Sequence, residues 1–156
     1  MSSHDLDLLA GIAPVHVQAI SALGHSSSLR TGDTLFRLGE VADSLIVIDR
    51  GRVALTLPMQ VRDHDEDILI EERGPGQTVG WSALIPPHRY TLTASALIET
   101  DVLALPQAEL LDYFSAHPEV GYAVTRSVAS VVGQRLQVFQ TMWLREMQRV
   151  VKLSHA

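Results

Sequence analysis

The chain has 156 residues, 46% of them hydrophobic and 19% charged, which suits one ordinary globular domain with a sizeable core. It holds no cysteine, so disulfides, thiolate metal sites and thiol catalysis are excluded, and no apolar run approaches a membrane span. A net charge of −6 argues against wholesale nucleic-acid binding, and with no secretory signal a cytoplasmic location is expected.

In chain order, Leu6, Leu8, Leu9, Ile12, Val15, Val17, Ile20 and Leu23 make a mixed helical pattern broken at Gly11 and Pro14, which predicts two short helices. Residues 24–28 end that section. Between Leu29 and Leu105 the pattern becomes short β-type runs, at residues 34–38, 44–49, 53–57, 68–72, 91–97 and 102–105. Residues 31–33, 39–40, 49–51 and 74–76 supply the glycines and prolines that tight turns need. The regular spacing signals a roll, barrel or sandwich. Polar and apolar residues alternate over 91–97, so one face of that strand is buried and the other is wetter or faces a ligand.

After Pro106 the helical period returns, first over residues 107–116 and then, past His117-Pro118, from Glu119 to about Leu153. Val124, Val128, Val132, Leu136, Phe139, Trp143, Met147 and Val150 follow at steps of three or four, a continuous apolar stripe. A helix of that length spans roughly 50 Å, more than a small roll can cover, so its distal half is expected to pack on a second copy. Beyond Gly121 there are five basic residues, Arg126, Arg135, Arg145, Arg149 and Lys152, against one acid, Glu146. Membrane-surface attachment by this basic, Trp-bearing helix is the lesser expectation, because its apolar face is equally explained as a dimer seam.

Gly80-Trp81-Ser82-Ala83-Leu84 approaches the nucleophile elbow G-x-S-x-G but ends in Leu84 and lacks βαβ surroundings, so a serine hydrolase is not expected. Asp63-His64-Asp65-Glu66-Asp67 has alternating acids, yet Ile68 stands where a calcium loop turns on glycine, and a solvated hairpin tip is the better reading. The seven histidines have no paired spacing for a metal. Gly74-Pro75-Gly76 followed by Gly80 is too widely spaced for a dinucleotide loop and bends the chain toward residues 78–91. There Gly80 lets backbone come close, a short helix begins, and an arginine lies just beyond, the ingredients of an anion cradle.

The order of helices, short strands and one long helix, with Leu29-Arg30-Thr31-Gly32-Asp33-Thr34-Leu35-Phe36-Arg37-Leu38-Gly39-Glu40 and Leu45-Ile46-Val47-Ile48-Asp49-Arg50-Gly51-Arg52-Val53, resembles the cyclic nucleotide-binding domain family over nearly the whole chain. The resemblance implies an α+β, mainly β fold: an antiparallel β-roll of jelly-roll type with short N-terminal helices and a long C-terminal helix. One domain over residues 1–156 is expected, with helices in 1–25, the roll in 26–106 and helices in 107–156. The chain stops without the helix-turn-helix domain of the catabolite-activator branch, so direct DNA binding is not expected.

The family's phosphate cassette has a Gly-Glu pair, a small residue, Ala-Leu and a later arginine. Gly80, Ser82, Ala83 and Leu84 match it, while Trp81 replaces the glutamate that holds the ribose hydroxyl and cannot accept that hydrogen bond. Arg89 is the candidate phosphate arginine, but ungapped counting from residues 93–96 puts Tyr90 in its place, and alternation sets Tyr90 on the face of Leu92 and Ala94. Nucleotide contacts are therefore expected among Gly80, Trp81, Ser82, Ala83, Arg89, Tyr90 and Thr91, with cAMP or cGMP as the ligand implied and a cyclic dinucleotide or heme-like anion stacked on Trp81 as the alternative. Val128, Val132, Leu136, Phe139 and Trp143 are the expected seam of a homodimer. The leading expectation is a non-enzymatic sensory module in which ligand capture shifts the C-terminal helix. The alternative is a degenerate assembly or adaptor domain docking to a protein partner, with Trp81 and Tyr90 filling the old pocket.

Overall fold

The computed structural model describes residues 7–155. Eight strands form two antiparallel four-stranded sheets: β1 (His25–Leu29), β8 (Thr100–Pro106), β3 (Ser44–Arg50) and β6 (Thr78–Val79) in one, and β2 (Thr34–Phe36), β7 (Thr93–Ala96), β4 (Val53–Val61) and β5 (His64–Arg73) in the other. Helix α1 (Pro14–Ser21) precedes the strands, and α2 (Gln107–Ala116) and α3 (Pro118–Ser154) follow them. This is the expected β-roll with its flanking helices. Residues through Val124 form one compact unit and those from Thr125 a second, with α3 continuous across the boundary.

Burial follows from position in the sheets. Strand β3 lies inside its sheet, so Leu45, Ile46, Val47 and Ile48 are all buried and read as an unbroken apolar run. Strand β7 alternates instead: Ala94 and Ala96 are buried while Thr93 and Ser95 are half-exposed. Tyr90 and Leu92, upstream at the same parity, are also buried. In the second unit Val128 is fully buried. Val132 and Phe139 are half-exposed, and Leu136 and Trp143 are 57% and 64% exposed. No helix among the described residues is long and apolar enough to cross a membrane.

Three expectations need correction. Of the two N-terminal helices only α1 forms; Asp5 and Leu6 lie outside the described residues, and residues 7–12 make turns in which Gly11 adopts a φ of 81°. Leu8 and Leu9 still reach the core without a helix. Residues 25–28, expected with Gly24 only to end the helical section, join Leu29 in the edge strand β1, paired from His25–Ala104 to Leu29–Thr100. Its serines face water, so no apolar alternation marks it. The hairpin tip is at Arg62-Asp63, with Arg62 at a φ of 56°, and the acids from Asp65 to Asp67 belong to the ladder of β5 rather than to the tip.

Candidate functional site

Between β6 and β7 the chain leaves the roll, turns through a single 3-10 helix, Trp81–Leu84, and returns. Gly80 starts this excursion at φ 82°, a left-handed conformation that disfavours a side chain. A Cβ there would also lie 2.9 Å from Tyr90 Cε1 and 3.3 Å from the Ser44 carbonyl oxygen. Backbone geometry and packing thus demand glycine independently. Ser82, Ala83 and Leu84 are buried, whereas Trp81 is half-exposed.

Two side chains fasten the 3-10 helix from outside. Gln107, the first residue of α2, donates its Nε2–H to the Ala83 carbonyl at 2.6 Å. His88 presents Nδ1 to the Ser82 carbonyl at 3.1 Å, and since a carbonyl only accepts, that ring nitrogen carries the hydrogen. Behind the cradle, Arg73 on β5 is only 12% exposed and joins Asp7, Glu71 (3.0 Å) and the Thr78 carbonyl (3.2 Å). The Thr78 hydroxyl donates to Asp7 at 2.9 Å, so the strand entering the cradle is tied to the N-terminal segment. Gln107, Arg73 and Asp7 were not singled out in the sequence; each is an ordinary polar residue there, and only the fold brings it to residues 78–84.

The structure separates Arg89 from Tyr90. Residues 88–90 are laced to the turn at 39–42 by the bonds Ala42 N–H to His88 O, Tyr90 N–H to Glu40 O and Gly39 N–H to Tyr90 O. Successive side chains then point to opposite sides. Arg89 is exposed, and its Nη1 donates to the Gly39 carbonyl at 3.1 Å. Tyr90 turns inward, 5% exposed, stacked on Phe36 with 3.7 Å between ring centroids and 12° between planes. Its hydroxyl donates to the Ser44 carbonyl at 2.8 Å. Burial raises the phenol above its ordinary range, and the nearby carboxylates of Asp43 and Glu40 add to the effect. Thr91 is exposed at the mouth of the following strand.

The chain thus combines a two-sheet roll, a glycine-started helical excursion between β6 and β7, and helices after the last strand. Residues 26–117 match the family model described as "Cyclic nucleotide-binding domain", and the chain belongs to that family. The N-terminal domain of a transcriptional regulator from Streptomyces coelicolor A3(2) is 30% identical, with 82% of this chain and 89% of that chain covered and a TM-score of 0.68. The Catabolite Activator Protein of Thermus thermophilus shares the fold at a TM-score of 0.72 and 21% identity, over 91% of this chain and 63% of that one. Glutaminase 2 of Bradyrhizobium diazoefficiens is 28% identical over 131 residues, 83% of this chain; the chain spans 19% of that protein's length.

Proposed function

We propose that this protein is a non-enzymatic, dimeric regulatory domain of the cyclic nucleotide-binding family in which Tyr90 occupies the place of the phosphate-binding arginine. The observation that carries this reading is the inward Tyr90, stacked on Phe36 and satisfied by Ser44, beside an outward Arg89. Trp81, in the position of the ribose-binding acid, has only an indole N–H to offer. A cyclic phosphate would then rely on backbone N–H groups alone. One hydrogen bond to a charged partner is worth about 1.5–3 kcal/mol, so lacking two such contacts weakens binding by more than about a hundredfold. The output of the domain is α3, whose exposed Leu136 and Trp143 and half-exposed Phe139 form the seam with a second copy and the face offered to a protein partner. Enzymatic use of Ser82 is disfavoured because the residue is buried and His88 addresses its carbonyl, not its hydroxyl.

The second reading keeps cAMP or cGMP as the ligand, and it is favoured by the retained Gly80 and the intact 3-10 helix at Ser82–Leu84. Light scattering of the purified protein with and without millimolar cAMP and cGMP separates the two. The first reading expects a dimer mass and melting temperature that do not respond to either nucleotide. A nucleotide-dependent change in either quantity overturns it in favour of the second.

A further inference from the structure

The β4–β5 hairpin outruns its neighbours. Strand β7 pairs with β4 only as far as Thr93–Thr56, while β4 and β5 continue together to Val61 and His64. Where the sheet splays, its outer face opens into a cleft of about 630 Å³. Thr93 pairs with Thr56 and Ser95 with Thr34, on the opposite face from buried Ala94 and Ala96, so hydroxyls form the floor. The strand order β2-β7-β4-β5 puts Arg37, just beyond β2, at one edge of the cleft. Asp65 and Asp67, two residues apart on β5 and therefore on one face, stand at the other. Among the described residues no side chain pairs with Arg37, Asp65 or Asp67.

We infer that this cleft binds a small zwitterion, the chemistry of a short peptide with free termini, since its walls stand three strands apart, about 14 Å at ordinary strand spacing. Its carboxylate lies on the Arg37 guanidinium and its ammonium on the carboxylates of Asp65 and Asp67, over the hydroxyls of Thr34, Thr93 and Ser95. The charge arrangement selects the class. A simple anion would meet two carboxylates and a metal cation would meet a guanidinium, whereas a dipolar ligand pairs with both walls. The size lies within the usual range for small-molecule sites, roughly 300–1,000 Å³. Because the charged groups are exposed, the binding is weak and sensitive to salt. The cleft lies on the opposite face of its sheet from the interior where Phe36 and Tyr90 stack, so it is separate from the family's ligand position.

The test is a titration of the ¹⁵N-labelled full chain with triglycine at about 50 mM salt, where screening is modest. Saturable shifts of the Arg37, Thr93 and Ser95 amide signals are expected. Triglycine that is N-acetylated or C-amidated keeps one charge and binds at least about tenfold more weakly, a difference of about 1.4 kcal/mol. Arg37→Gln, and Asp65→Asn with Asp67→Asn, lose the response while the rest of the spectrum is unchanged. No saturable shift with wild-type protein, or equal shifts with the capped peptides, overturns the inference whatever the variants do.

Discussion

The ring of Tyr90 lies face to face on Phe36, and its hydroxyl reaches across to the carbonyl of Ser44 on the neighbouring sheet. That contact joins β2, the start of β3 and the approach to β7, and it sits directly beneath Gly80. Tyr90→Phe keeps the stack and loses the hydrogen bond, so it is expected to cost about 1 kcal/mol in urea unfolding. Tyr90→Ala empties the position and should cost about 3–5 kcal/mol.

The same tyrosine sets a pH dependence. Its phenol is raised by burial in the folded state, so at high pH the unfolded chain ionises first and binds fewer protons than the folded one. The stabilisation is therefore complete below about pH 10, the ordinary tyrosine value, and is lost as pH rises through the higher folded-state value. Urea midpoints measured from pH 8 to 11 should fall at the alkaline end, and Tyr90→Phe should fall less steeply. Parallel curves for the two proteins would contradict the assignment.

Two glycines with similar backbone angles should respond differently to alanine. Gly32, at φ 88°, has nothing within 4 Å of a built Cβ, so Gly32→Ala should cost only the left-handed penalty of about 1–2 kcal/mol. Gly80→Ala adds a collision with Tyr90 and Ser44 and should cost about 3 kcal/mol or more. Equal losses in urea unfolding would mean that Gly80 is not held against Tyr90.

Arginine pairs should divide by burial. Arg73 is 12% exposed and bonded to Asp7, Glu71 and Thr78, and Arg73→Met is expected to cost about 2–4 kcal/mol because it takes the cationic partner from the part-buried Asp7 carboxylate. Arg52, paired with Glu72 at 3.0 Å, is about half-exposed, and Arg52→Met should cost under about 1 kcal/mol.

Along α3, Leu136→Asp and Trp143→Asp replace side chains that the unit itself leaves exposed. If the proposed dimer forms through this face, both are expected to convert it to monomer in light scattering with the melting temperature of the roll little changed. A dimer that persists in both variants would remove α3 from the seam.

Much of the roll was legible because its turns are written in glycine and proline, its buried strand β3 in the aliphatic run 45–48 and its strand β7 in the alternation over 93–96. Tyr90 is buried as alternation from β7 would place it, but residues 91 and 92 are bends, and it is the backbone pairing with Gly39 and Glu40 that turns Tyr90 inward. What stayed hidden was polar structure. The serines of β1 pair through backbone alone, and the acids of β5 look like a loop because both elements lie at sheet edges, facing water. Gln107, Arg73 and Asp7 reach the cradle only through long-range pairing, which has no local sequence signal.

The most direct test of the exchanged roles of Tyr90 and Arg89 is calorimetric titration of wild-type protein and Arg89→Ala with cAMP and cGMP. The predicted result is no saturable heat at millimolar nucleotide for either protein, with Arg89→Ala losing less than about 1 kcal/mol of stability, as befits an exposed side chain with one carbonyl contact. Micromolar binding by the wild type that Arg89→Ala weakens tenfold or more would contradict it, since the arginine would then be the phosphate ligand after all.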